Sequence, residues 1–322
     1  MNTLLDPAIL FFVFGAFAGL VKSNLEIPQP ITRFLSLYLL MALGLKGGFA
    51  LAKSGLNIQV ATSLGIAITI AIIVPLIGYS LLKRVLNGFD AAAMAATYGS
   101  VSAVTFITAT QHLDRLGVNY GGYMAAAMAL MESPAIIVGV IFANIVRQNS
   151  KNQHNSATRL SSGHVLHEAL TDGAQLLLLG AMVVGILTGE NGRSAMHPFS
   201  GDLFKGMLSF FLLDMGIQCS KNFREVLGKS PLLLAYAVVA PILHATIALG
   251  ICFALNVPAG DGALLMILAA SASYIAVPAV MRLAVPEANP SLYFGLSLGL
   301  TFPINILVGI PFYSKVANHF LR

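Results

Sequence analysis

GSVSAVTF, Gly99 to Phe106, interrupts an apolar run with two serines and a threonine, and ASASYIAV, Ala270 to Val277, does the same in the second half of the chain. In hydrocarbon an unpaired backbone amide or carbonyl costs several kcal/mol. A Gly/Ser-rich break at membrane depth therefore persists only where it is buried in protein or lines a cavity. Two such breaks, one in each half, point to a binding site at the membrane midplane.

The surrounding residues supply the membrane. Hydrophobic residues make up 57 % of the chain and charged residues 10 %, with a mean hydropathy of +0.82; soluble domains carry about 25 % charged residues. The formal charge of +5 comes from cations scattered through short loops. With no basic patch to hold a nucleic acid, they read as topology signals. Cys219 and Cys252 lie in or beside apolar runs without metal-ligand spacing. The opening MNTLLDPAIL has no basic stretch and no small-residue cleavage site after its apolar run, so a removable signal is not expected.

Ten apolar runs lie between Pro7 and Tyr313, each near the roughly 20 residues a helix needs to cross a bilayer. Five fall in residues 1–146 and five in 169–322, joined by a polar connector, 147–168, that carries three histidines. Clusters such as KSNLEIPQP and VPEANPS serve as helix stops. Lys and Arg in alternate loops number six on the side of the N-terminus and eleven on the other. The second side is then cytoplasmic, which places both termini outside and the connector inside.

The halves also echo one another. Ser100-Val101-Ser102 matches Ser271-Ala272-Ser273, Asn119 and Tyr123 match Asn289 and Tyr293, and Gly44 matches Gly216, all at offsets close to 170 residues. A repeat of five spans enters the membrane from opposite sides in its two copies, so spans four and nine cross antiparallel.

At a broken helix the second half begins with free amides and a positive dipole end, and the first half ends with free carbonyls. The amides attract a small anion, while carbonyls and hydroxyls hold a hard cation. The substrate would lie on Gly99, Ser100, Val101 and Ser102 from one break and Ser271, Ala272 and Ser273 from the other; Thr105, Glu132 and Tyr274 are the candidates for a coupling ion. The competing reading is that these are small-residue packing positions. No Cys/His set suits a transition metal, and no Ser-His-Asp order stands out. Ionisable residues inside spans usually face a cavity or a partner. Glu132 precedes Pro134, which would bend or open its helix. Lys46 and Asp214 occupy nearly equivalent places in the two repeats and could pair, although antiparallel copies set them at different depths. His244 reads as a hydrogen-bonded core histidine.

The order of spans, the GSVSAVTF break, the run APILHA in span eight and the stretch from Ser271 through Pro278 to Pro286-Glu-Ala-Asn-Pro-Ser291 resemble the sodium-dependent bicarbonate permeases. The resemblance implies a homotrimer of ten-span subunits, each with a gate domain and a core domain that carries substrate by an elevator-like movement. It also implies both termini outside and a small cytoplasmic regulatory protein. By match to the family's motifs, Ser102, Thr105, Ser271 and Ser273 would hold bicarbonate or sodium, and Glu132 stands where members carry an aspartate before the proline. The family's second break reads three serines and an aspartate; here it is Ser271-Ala272-Ser273-Tyr274. The connector is also shorter than the family's.

The expectation is therefore an all-α integral membrane protein of ten transmembrane helices in two inverted five-helix repeats, with helices four and nine broken, in an inner membrane. It is read as a secondary transporter and not an enzyme, importing a small anion, bicarbonate with sodium as coupling ion and no other cofactor. A proton-coupled carrier, or a carrier of another small carboxylate, is the alternative.

Overall fold

The computed structural model describes residues 6–55, 57–150, 173–226 and 228–321. Most of the connector 147–168 lies outside the described residues. Helices α1 (Pro7–Leu20), α2 (Gln29–Ser54), α3 (Ile58–Leu82), α4 (Gly88–Gly99), α5 (Ala103–Leu116) and α6 (Met124–Ser150) precede it. Helices α7 (Gly173–His197), α8 (Leu203–Val226), α9 (Pro231–Ala254), α10 (Ala259–Ala270), α11 (Ala276–Ala284) and α12 (Pro290–Phe320) follow. Among the described residues there is no strand.

The helix starts are written locally. Asp6 accepts from the Ala8 amide at 2.9 Å ahead of Pro7, Asn57 from Val60 at 3.0 Å, and Asn289 from Ser291 at 3.0 Å ahead of Pro290. Each satisfies amides that a helix start leaves without partners. Helix α5 stops at Gly117, whose φ of +67° suits a residue without a Cβ. Helix α6 runs through Pro134 as one continuous helix, so the expected opening there does not occur. Helix α12 carries two π turns, Ser297–Thr301 and Asn305–Gly309.

Seven helical runs among the described residues are long and apolar enough to cross a membrane, with α1 and α10 shorter apolar helices beside them. One of the seven is the 48-residue stretch Leu176–Phe223, which joins α7 to α8. Gly189, at φ 53° and ψ −139°, breaks its helical path.

The most extensive seams run α1 along α8 and α2 along α7; α3 packs on α4 and α6, α9 packs on α10 and α10 on α12, and the first half of α12 also packs on α8. Helix α1 reads Gly15-x-x-x-Gly19 and α2 reads Gly44-x-x-x-Gly48, the spacing that lets membrane helices touch backbone to backbone. A Cβ on Gly15 would sit 2.1 Å from the Leu213 carbonyl oxygen, and one on Gly48 would sit 2.2 Å from that of Met182 and 2.8 Å from the Gly185 Cα. Helices α4 and α10 are the innermost, buried from Asp90 to Gly99 and from Gly260 to Ala270. Their alanines and glycines leave room for neighbours on every side. Outward faces of α1, α7 and α9 expose Phe14, Phe17, Leu187 and Leu243, as a lipid-facing surface would.

Lys46 and Asp214 do not pair. Asp214 accepts from Thr32 and Gln218, both at 2.7 Å, whereas the Lys46 ammonium lies 4.2 Å from the centre of the Phe204 ring. Thr32 starts α2 and Lys46 approaches its end, so the two charges stand at opposite ends of one helix. His244 is 4 % exposed and hydrogen-bonds the Ala269 backbone, as a core histidine would. At the far end of α11, Arg147 grips Glu287 at 2.6 Å and the Ala284 carbonyl at 2.8 Å.

Gly48→Leu forces α2 and α7 apart and is expected to lower stability by at least the ~1–3 kcal/mol typical of overpacking. Gly180→Leu, at a position with nothing within 4 Å, is the control. Thermal unfolding of the purified protein in lipid-detergent micelles checks the pair, with a fall in Tm for the first alone.

Candidate functional site

Both Gly/Ser stretches are breaks. Ser100 and Ser102 have extended backbones between α4 and α5, and Ser271 to Ile275 separate α10 from α11. The breaks meet. The Ser102 amide donates to the Ser271 hydroxyl at 3.0 Å, and the Ser273 amide donates to the Thr97 carbonyl at 2.9 Å. The Ser271 hydroxyl in turn donates to the Leu268 carbonyl at 2.7 Å, and the Asn305 side chain closes the Ala270 carbonyl at 2.7 Å. Backbone groups freed by one break are thus taken up by the other and by α12. The Ser102 hydroxyl caps α5 through the Thr105 amide at 3.2 Å, and the Ser273 hydroxyl accepts from the Val277 amide at 3.2 Å.

The two broken helices run in opposite directions. Helix α4 starts where the Asp90 carboxylate accepts from the Asn289 amide at 2.7 Å and the Asn87 side chain at 2.6 Å. Helix α10 starts where the Asp261 carboxylate accepts from the Gly121 amide at 2.6 Å, the Tyr123 hydroxyl and the Gln59 side chain at 3.2 Å. Gly121 follows the end of α5, and Asn289 follows the end of α11. Asp90 and Asp261 are 7 % and 1 % exposed, and they went unread in the sequence. The signal was present: they stand at the same offset as the serines, each in the first turn of the helix leading to a break.

A cavity of about 60 Å³ lies at the crossing, lined by Val101, Ser102 and Ala103 at the start of α5 and by Ser273, Tyr274, Ile275 and Ala276 at the start of α11. Ser36 and Leu40 of α2, Met128 and Glu132 of α6 and Leu178 of α7 complete it. A water's share of liquid volume is about 30 Å³, so the space suits a very small ligand. Both half-helix N-termini, the positive dipole ends, open on it, and Glu132 is part of its lining. Of the sequence candidates, Val101, Ser102, Ser273, Tyr274 and Glu132 meet here. Gly99, Ser100, Thr105, Ser271 and Ala272 stand behind the cavity wall: Gly99 packs against the Pro75 ring, and the Ser271 hydroxyl is used in holding the breaks together. Among the described residues, the hydroxyls of Thr97, Ser100 and Thr105 are buried without a hydrogen-bond partner. The Tyr274 ring packs on Phe302, centroids 5.0 Å apart; its hydroxyl neighbours Ser102 without a hydrogen bond of normal geometry.

A second, larger cavity of about 850 Å³ includes Lys46, Phe106, Asp114, Tyr120, Arg193 and Phe204 in its lining. Phe106 is four residues beyond Ser102 on α5, about 6 Å at 1.5 Å per residue. With Leu43 it forms an apolar layer between the two spaces: both are buried, and both face the larger one. Tyr120 donates to Asp114 at 2.9 Å. Burial, and then the Asp114 charge, hold its hydroxyl above the ordinary range, so it remains a neutral donor.

Helix breaks that meet within a bundle of apolar helices, their dipole ends on one small cavity, are how membrane carriers build a binding site. Comparison with known families bears out that class. The chain belongs to the Na+-dependent bicarbonate transporter superfamily, whose family model matches residues 7–318, and it is a multi-pass membrane protein of that transporter family. No curated protein matched the chain.

The Ser271 hydroxyl bridges two backbone groups, whereas that of Ser100 has no partner. Ser271→Ala is therefore expected to lower stability by about 1–3 kcal/mol, the cost of leaving a buried amide unsatisfied. Ser100→Ala should leave stability within about 0.5 kcal/mol of the unaltered chain. Thermal unfolding of both variants side by side gives the comparison.

Proposed function

We propose that this protein is a secondary transporter that imports bicarbonate together with sodium through the crossing of its two broken helices. One observation carries the reading: the starts of α5 and α11 open on the same small cavity as the Glu132 carboxylate. Free amides and dipole ends suit a small oxyanion. A carboxylate with nearby hydroxyls and carbonyls suits a hard cation. Family membership supports both ions.

The chain is read as ten spans in two inverted repeats. The seven long runs become ten spans when Leu176–Phe223 is divided at Gly189, α1 is added, and α10 with α11 is counted as one broken crossing. Contacts support the inversion, since α1 on α8 mirrors α2 on α7, and α3 on α4 mirrors α9 on α10. The long α1–α8 and α2–α7 seams, set apart from the helices that hold the breaks and joined to them mainly through α8 and α12, support the reading of an elevator movement with the glycine-locked pairs as the fixed part. Charge asymmetry between loops supports an inner-membrane protein with both termini outside. The start of α1 and the end of α5 share a side, since Asp6 bridges Arg115 at 3.1 Å.

Uptake of labelled bicarbonate into proteoliposomes is expected to require an inward sodium gradient. Ser102→Ala and Ser273→Ala, each of which removes only the hydroxyl, should reduce uptake at least ten-fold (about 1.4 kcal/mol of binding) while the protein stays folded. Wild-type uptake by both would reduce the crossing to a packing motif.

Tyr274 stands where the family's aspartate is expected, and a phenol is neutral and a weaker acceptor than a carboxylate. Cation binding then falls to Glu132. Tyr274→Asp is expected to lower the sodium concentration giving half-maximal uptake, and Glu132→Gln to abolish cation dependence. Sodium dependence unchanged in both variants would assign the ion to the backbone of the breaks.

A further inference from the structure

We infer that Lys46 forms an anion-capture site of its own, in the large cavity one apolar layer away from the crossing. It takes small monovalent oxyanions and hands them toward the half-helix N-termini. The inference rests on reading the crossing as an anion site.

Lys46 lies in the membrane-spanning part of α2, and its ammonium has been withdrawn from bulk water onto the face of Phe204, 4.2 Å from the ring centre. A ring face attracts a cation but carries no countercharge. Among the described residues no carboxylate oxygen comes within the 4.0 Å of an ion pair; Asp114 attracts the ammonium from farther off, and the neighbouring Lys205 repels it. Two of the other cations around this cavity and the space adjoining it are matched: Arg115 bridges Asp6 at 3.1 Å and Arg193 bridges Glu190 at 3.3 Å. Setting these pairs aside leaves Lys46, Lys53 and Lys205 against Asp114 and Asp202, with His197 3.4 Å from Asp202, a cavity with positive charge in excess. Low-dielectric walls concentrate such a field and raise the local concentration of anions.

The position makes the charge useful. Leu43, one turn back along α2 from Lys46, and Phe106, one turn along α5 from Ser102, are the apolar layer between this cavity and the crossing. An anion held by the ammonium therefore waits about two helical turns of α2 from Leu40 and the smaller cavity. A lysine suits this step because it is a point charge on a flexible stem, with none of the bidentate grip of an arginine.

The test separates capture from transport. In a chain with Cys219 and Cys252 replaced by alanine, Val118→Cys places a thiol in the lining of the same cavity. Its reaction with anionic sulfonatoethyl methanethiosulfonate is compared with that of the cationic trimethylammonioethyl reagent. Loss of one nearby positive charge is expected to lower the anionic-to-cationic rate ratio about five-fold in Lys46→Met and in Lys46→Gln. Lys46→Arg should restore it. In proteoliposomes the same neutral variants should raise the KM for bicarbonate several-fold and leave kcat unchanged. An unchanged reagent ratio, or a fall in kcat at constant KM, would overturn the inference. The reagent ratio needs no transport, so it decides the capture site even if the wild type takes up no bicarbonate, a result that would sink the proposed function separately.

Discussion

The architecture depends on two hydrogen bonds between its breaks: the Ser102 amide to the Ser271 hydroxyl, and the Ser273 amide to the Thr97 carbonyl. A helix can be opened inside a membrane protein only if something replaces the bonds it gives up. Here each opened helix satisfies part of the other, and Asn305 from α12 closes one more carbonyl. Free amides remain where α5 and α11 begin, beside the small cavity. Polarity is thereby concentrated at one place in a bundle that is otherwise apolar, and binding chemistry and backbone satisfaction share the same few residues.

Much of this was legible in the residues. A hydroxyl-rich interruption of an apolar run has few physical explanations, and its recurrence at a fixed offset identified both breaks within a few residues of where α4 and α10 end. Gly44 and Gly216, matched in the sequence only as part of the repeat, lie at close helix contacts in the structure, α2 with α7 and α1 with α8. Side-chain roles were less legible. Ser100 and Ser102 are indistinguishable by composition, yet Ser102 lines the cavity at the start of α5 and Ser100 is buried behind it at the end of α4. Ser271, read as a ligand, has its hydroxyl between the two breaks. The proposed meeting of Lys46 and Asp214 failed for a geometric reason: Asp214 is held by Thr32 in the first turn of α2, whereas Lys46 lies on Phe204 well along the same helix. Pro134 passed without a break, since neighbouring helices can accommodate the amide that a proline lacks.

The helices outside the crossing are held by a different kind of contact. Between α1 and α8 and between α2 and α7, glycines bring backbones together so closely that a methyl group would collide. Such contacts tolerate little sliding. Around the breaks, α4 presents a run of alanines, whereas α10 meets its neighbours with the larger side chains of Leu264 to Leu268.

The carboxylates of Asp90 and Asp261 bear on how the chain is made. Each anchors the start of a broken helix to a turn in the other half, 199 residues away for Asn289 and 140 for Gly121. During synthesis α4 and α5 emerge long before Asn289 exists, so until the second half arrives Asp90 keeps only its Asn87 partner and the opened helix lacks the hydrogen bonds that the other break supplies. Neither half completes these bonds alone, and the polar residues of the first break are enclosed only when the second half packs on them.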